Sequence, residues 1–118
     1  MIKEFITDVC ELLEIKVPKI SYDTIHFATK TTLAQYEPVT NTIYLNKVDK
    51  PNPDYVFSIA HELRHIYQYQ TDEVDANAFA SIVMTDFFSI KPQWNGLSNK
   101  VINEINKRIN IIIHELNN

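Results

Sequence analysis

The chain of 118 residues holds a single glycine, Gly96. A phosphate-cradling loop or a dinucleotide fingerprint needs several glycines at fixed spacing, so both are excluded. A glycine-rich linker is excluded for the same reason. Cysteine is equally scarce, with Cys10 alone. Neither a disulfide within the chain nor a cysteine-based zinc site can be built from it, and Cys10 is expected to act as a small buried hydrophobe. Arginine occurs only as Arg64 and Arg108, and the formal net charge is −4. Bidentate phosphate clamping has little to work with, and no nucleic-acid partner is expected. No apolar run approaches the length of a membrane span. Glu4 and Asp8 interrupt the opening segment, so a signal peptide is not expected either. The expectation is a cytoplasmic protein with no membrane association.

What the chain does contain is enough for one domain over 1–118. Hydrophobic residues make up 45% and charged residues 22%, a balance that argues for a packed core and against disorder. Residues 2–14 place Ile2, Phe5, Ile6, Val9, Leu12 and Leu13 at helical spacing. The texture then turns strand-like. Ile20, Tyr22, Ile25 and Phe27 suit short strands, and residues 32–36 and 42–45 suit a β-hairpin around the turn Glu37-Pro38-Val39-Thr40-Asn41. Asn52 and Pro53 open a helix expected to run to about residue 70. Asp72 caps a second helix, to about residue 89, and Ser98 a last one. Its apolar face comprises Val101, Ile102, Ile105, Ile109, Ile112, Ile113 and Leu116. The fold class is therefore α+β: a small antiparallel or mixed sheet with about four helices.

The first of the two central helices carries His61-Glu62-Leu63-Arg64-His65, an H-E-x-x-H pattern. Residues four apart on a helix are separated by about 40° around its axis, so both imidazoles project from one face. They can then share one metal at about 2.0–2.1 Å from each nitrogen. Glu62 lies about 100° further round. That is too far to add a ligand, yet close enough to accept a proton from a water on the metal. Val56, Ile59, Ala60, Leu63, Ile66 and Tyr67 gather on the opposite, core-facing side. His61 and His65 therefore face solvent, a cleft or a second element laid across them. A catalytic zinc needs a third protein ligand and an open position. The following helix, otherwise apolar all round, carries Glu73 and Asn77 on one face. Glu73 as third ligand and Asn77 as acceptor for a histidine N–H would give both polar groups partners. The gap from His65 to Glu73 is short and requires a tight turn near Gln70-Thr71. The alternative third ligand is Asp75, or even Asp72.

From about Thr42 to Met84 the chain resembles a gluzincin, and specifically the ImmA/IrrE-type metallopeptidases. The resemblance rests on the strand Asn41-Thr42-Ile43-Tyr44-Leu45-Asn46, the H-E-x-x-H helix, and a following E-x-x-A-[ND]-x-F-A signature matched by Glu73 to Ala80. It implies a zincin-like fold in minimal single-domain form, Glu73 as the third zinc ligand and Asn77 as its support. It also implies metal-assisted hydrolysis of a peptide bond, with Glu62 as general base. The substrate would be a peptide or a regulatory protein. A protein partner or self-association would complete a cleft that so short a chain builds only in part. The oxyanion donor is expected among Tyr69, on the histidine side of the helix, Tyr67, His26 and His114. Tyr22, Tyr36 and Tyr44 are expected to pack in the sheet, and Trp94 to plug the edge of the core. The competing reading is a non-catalytic, zinc-stabilised protein-binding module.

Overall fold

A computed structural model describes residues 2–25, 27, 29 and 31–117. They form, in order, α1 (Ile2–Leu13), β1 (Lys19–Ser21), β2 (Ala34–Glu37), β3 (Thr42–Leu45), α2 (Pro53–Tyr67), α3 (Glu73–Phe88) and α4 (Asn99–Leu116). The architecture is α+β, with four helices and one three-stranded mixed sheet.

The apolar stripe of α1 behaves as its spacing predicts. Phe5, Ile6, Val9, Cys10 and Leu13 are buried. Glu14 then takes a left-handed conformation, φ 58°. Its N–H donates to Glu11 O and the Ile15 N–H to Cys10 O, a pairing that satisfies the last carbonyls and turns Ile15 back onto the core. Cys10 is the small buried hydrophobe expected, and burial pushes its thiol up to about 11.

β3 is the central strand. It pairs antiparallel with β2 through the expected hairpin and parallel with β1. Asn41 closes the hairpin at φ 50°, a left-handed position that asparagine tolerates. Its Oδ1 accepts from the Tyr36 hydroxyl at 2.8 Å. Ile43 and Leu45 face inward and are fully buried. The strand-like texture expected as far as Phe27 does not hold. β1 ends at Ser21 because side chains take over the backbone donors. Ser21 Oγ accepts from the Asp23 N–H, and Asp23 Oδ1 from the Ile25 N–H. Such local bonds compete with a ladder, and Ile25 is left exposed.

The helix starts follow their caps. Asn52 accepts from the Tyr55 N–H at 2.9 Å, Asp72 from the Asp75 N–H at 3.1 Å and Ser98 from the Val101 N–H at 3.3 Å. Asn52→Ala should lower the free energy of unfolding by about 1 kcal/mol. Urea denaturation checks this, and an unchanged midpoint would mean that the α2 start does not depend on that bond.

The core lies between α1, the inner face of the sheet, α2 and α3, with Ile105 and Ile112 of α4 completing it. The apolar face of α4 is narrower than expected. Val101, Ile102 and Ile109 are half-buried, whereas Ile113 and Leu116 are exposed. No helix among the described residues is long and apolar enough to cross a membrane.

Candidate metal centre

α2 and α3 pack against each other more extensively than any other pair of elements. This lays the first turn of α3 across the histidine face of α2. The second element that the helical wheel required over His61 and His65 is therefore α3. The two imidazoles are mostly buried, with 18% and 16% of their side-chain surface exposed. Their Nε2 atoms lie 3.1 Å apart. Glu73 reaches both: Oε1 is 2.5 Å from His65 Nε2, and Oε2 is 3.6 Å from His61 Nε2. One donor atom from each of the three residues lies within 4.8 Å of the others.

Two imidazole nitrogens and a carboxylate oxygen, all turned toward one point, need a proton or a cation among them. The donor types suit a metal. Two histidines and one carboxylate form a recognised three-ligand set, and four ligands at about 2.0–2.1 Å in a tetrahedron stand about 3.3 Å from one another. The observed gaps bracket that value. Glu73 would have to draw back from His65, and with 66% of its side chain exposed it has room to do so. That exposure differs from the buried third ligand expected on α3. Glu73 occupies the first helical position, at the open end of the site.

Burial lowers the His61 pKa, and the charge of His65 lowers it further, against the pull of Glu73, Glu62 and Asn77. A neutral imidazole is the form that binds a metal. The ring of Phe57, one turn earlier, stacks on His61 with centroids 6.2 Å apart, and Trp94 meets Phe57 edge-on at 5.9 Å. Trp94 thus closes the core edge beside the site. Asn77 is half-buried one turn beyond Glu73. It acts on His61, yet His61 Nδ1 is buried without a hydrogen-bond partner.

Glu62 points to the sheet. Its Oε1 accepts the backbone N–H of Tyr36, on the edge strand β2, at 2.8 Å. The carboxylate is thereby held between the histidine-bearing helix α2 and the rim of the sheet.

Asp75, the alternative third ligand, is not part of the cluster. Its residue is 4% exposed, and its carboxylate is saturated elsewhere. Arg64 donates Nε to Oδ2 at 2.7 Å and Nη2 to Oδ1 at 3.0 Å. Arg108 Nε donates to Oδ1 at 2.6 Å and Gln68 Nε2 to Oδ2 at 2.8 Å. Asp72 caps α3 instead of approaching the cluster.

Of the oxyanion donors expected on α2, Tyr69 is displaced because the helix is shorter than its pattern suggested. It ends at Tyr67, and Gln68 is extended at φ −73°, ψ 137°. The angular position assigned to Tyr69 by helical spacing therefore does not apply, and Tyr69 stands fully exposed beyond the helix end. Tyr67 is half exposed, its ring 4.3 Å from the Arg64 guanidinium. His114 is exposed in the last turn of α4. His26 lies outside the described residues.

Three residues of this region were given no role at the site from the sequence: Arg64, Gln68 and Arg108. One signal was available. Arg64 follows Ala60 by four residues, and Asp75 precedes Phe79 by four. Both charges therefore sit on core-facing stripes of adjacent helices, where neither can stay unpaired. Comparison with protein-family models, curated proteins and solved structures returns no significant match, so the centre rests on this geometry alone.

Proposed function

We propose that the chain is a zinc-dependent metallopeptidase of the ImmA/IrrE type that hydrolyses peptide bonds in a protein substrate. The reading is carried by one observation: the convergence of His61 and His65, on the helix that also presents Glu62, with Glu73 from the first turn of α3, their donor atoms all within 4.8 Å. Zinc, when bound, supplies a Lewis acid and acidifies a water at neutral pH.

The chain's own residues do the rest. His61, His65 and Glu73 hold the ion. Glu62 takes a proton from the attacking water and returns it to the leaving amine. The Tyr36 N–H keeps that carboxylate aimed. The acidic balance and the scarcity of arginine fit a cytoplasmic enzyme that acts on protein and leaves nucleic acid alone. A partner, or a second copy, would extend the small cleft.

Elemental analysis of the purified protein should find about one zinc per chain. His65→Ala and Glu73→Ala should each lose it, with the Glu73 variant weakened at least ~10-fold in affinity. Incubation with a peptide library, read by mass spectrometry, should show cleavage that a chelator abolishes. Zinc without cleavage would favour a zinc-stabilised binding module. No zinc in the wild type would remove both readings.

A further inference from the structure

Gln68 is the first residue beyond α2, and every polar atom of its amide is engaged. Oε1 accepts the Asp72 N–H at 3.0 Å and faces His65 Nδ1 at 2.8 Å. Nε2 donates to Asp72 O and to Asp75 Oδ2, both at 2.8 Å.

Three of these four partners have a fixed polarity. A backbone N–H can only donate and a backbone carbonyl can only accept. The Asp75 carboxylate, held between two guanidiniums, can only accept as well. Turning the amide over would set N–H against N–H and oxygen against two oxygens, so the amide has one orientation. The fourth partner must then conform. With Oε1 toward it, His65 Nδ1 has to carry a proton and donate. A neutral imidazole has one proton to place. Fixing it on Nδ1 leaves the Nε2 lone pair for the point shared with His61 and Glu73.

We propose that Gln68 is the positioning residue for His65, fixing its ring with Nδ1 protonated and Nε2 turned into the metal centre, and that the Arg64–Asp75–Arg108 cluster locks Gln68 in that orientation. The proposal rests on the metal-centre reading and deepens it. It also gives the short turn between α2 and α3 a function. The turn folds back so that one side chain bonds both its own far end, at Asp72, and the ligand behind it. Arg108 brings α4 into the same chain of bonds, 33 residues beyond Asp75 in sequence.

The test compares wild type, Gln68→Leu and Gln68→Glu. Leucine has similar bulk and no acceptor, whereas glutamate keeps an acceptor for the His65 and Asp72 N–H groups. Ring nitrogen shifts of His65 are recorded on metal-free protein at about pH 8, above the ordinary histidine range. Zn2+ and Co2+ titrations follow, with the visible Co2+ spectrum as the geometric readout.

In the wild type Nδ1 should carry a proton. In Gln68→Leu that proton should move to Nε2, metal affinity should fall ~10–100-fold, and the Co2+ bands should shift. Gln68→Glu should keep the Nδ1 proton, because its acceptor toward His65 is retained, even though its second oxygen then opposes Asp72 O and Asp75 Oδ2 and weakens the turn. Unchanged tautomer and affinity in the leucine variant would overturn the proposal. A glutamate variant that loses the Nδ1 proton would do the same, because an acceptor at that place would then not govern the ring. If the wild type takes up neither metal, the metal-centre reading falls. The tautomer comparison still decides whether Gln68 governs His65.

Discussion

Glu62→Gln should leave metal content unchanged and reduce peptide cleavage by at least ~10²-fold, the lower end of what a positioned general base contributes. The structure gives a reason to choose this substitution. Glu62 has two contacts to satisfy: the chemistry on the histidine face and the Tyr36 N–H on β2 at 2.8 Å. Glutamine keeps an oxygen for Tyr36, so the edge strand stays anchored to α2. It can no longer take up a proton at neutral pH. Glu62→Ala removes both functions and leaves the half-buried Tyr36 N–H without its acceptor, which costs about 1–3 kcal/mol. Comparison of the two variants therefore separates catalysis from strand anchoring. In the peptidase reading both are inactive, yet only the alanine variant melts earlier. Full turnover in Glu62→Gln would remove Glu62 from the mechanism. Equal stability of the two variants would show that the Tyr36 bond is dispensable.

The parts of this site that could be read from the sequence are those set by local rules. The four-residue spacing of His61 and His65 fixes their shared face whatever surrounds them. Asn52, Asp72 and Ser98 announce helix starts because a cap acts within three residues. The hairpin around Asn41 is equally local, and its strands pair as expected. What could not be read depends on distant partners. β1 is three residues long and pairs parallel with β3, across more than twenty intervening residues. No local pattern specifies such a pairing.

The end of α2 is a second case. Periodicity continued to Tyr69, but the bonds of Gln68 to Asp72 and Asp75 hold an extended turn there. A tertiary network thus overrode a helical pattern and removed Tyr69 from the histidine face. Glu73 shows the same limit in another form. Its candidacy was legible from the spacing and the resemblance, with Asp75 left as the alternative, whereas its exposure depended on which turn of α3 crosses α2.

Asp75→Ala should be the most destabilising single substitution in the region, at about 3–5 kcal/mol measured on metal-free protein by urea unfolding. Asp75 accepts four hydrogen bonds, three of them from two arginines. Removing it leaves Arg64 charged and only 4% exposed, between the rings of Tyr67 and Phe79 at 4.3 and 5.1 Å. An uncompensated buried charge is what makes a broken pair expensive. Arg108→Ala should cost less, because Arg108 is partly open to solvent and Asp75 keeps its two bonds from Arg64.

The same cluster sets an acid limit. Burial alone would raise the Asp75 carboxyl, but hydrogen bonds from Arg64, Gln68 and Arg108 outweigh it and hold the group well below the usual range. With the folded value depressed, Asp75 contributes its full stability above the unfolded value of about 3.9 and loses it as pH falls below that toward the folded one. Wild-type stability should therefore drop as pH falls below about 4. Asp75→Asn, already destabilised and without the titrating group, should show a shallower drop over that interval. Because Gln68 leans on the same carboxylate, zinc affinity should fall in Asp75→Asn even where the protein remains folded. An Asp75→Ala variant within about 1 kcal/mol of wild type would mean that the cluster does not anchor α4, and one that binds zinc equally well would mean that it does not reach the metal centre.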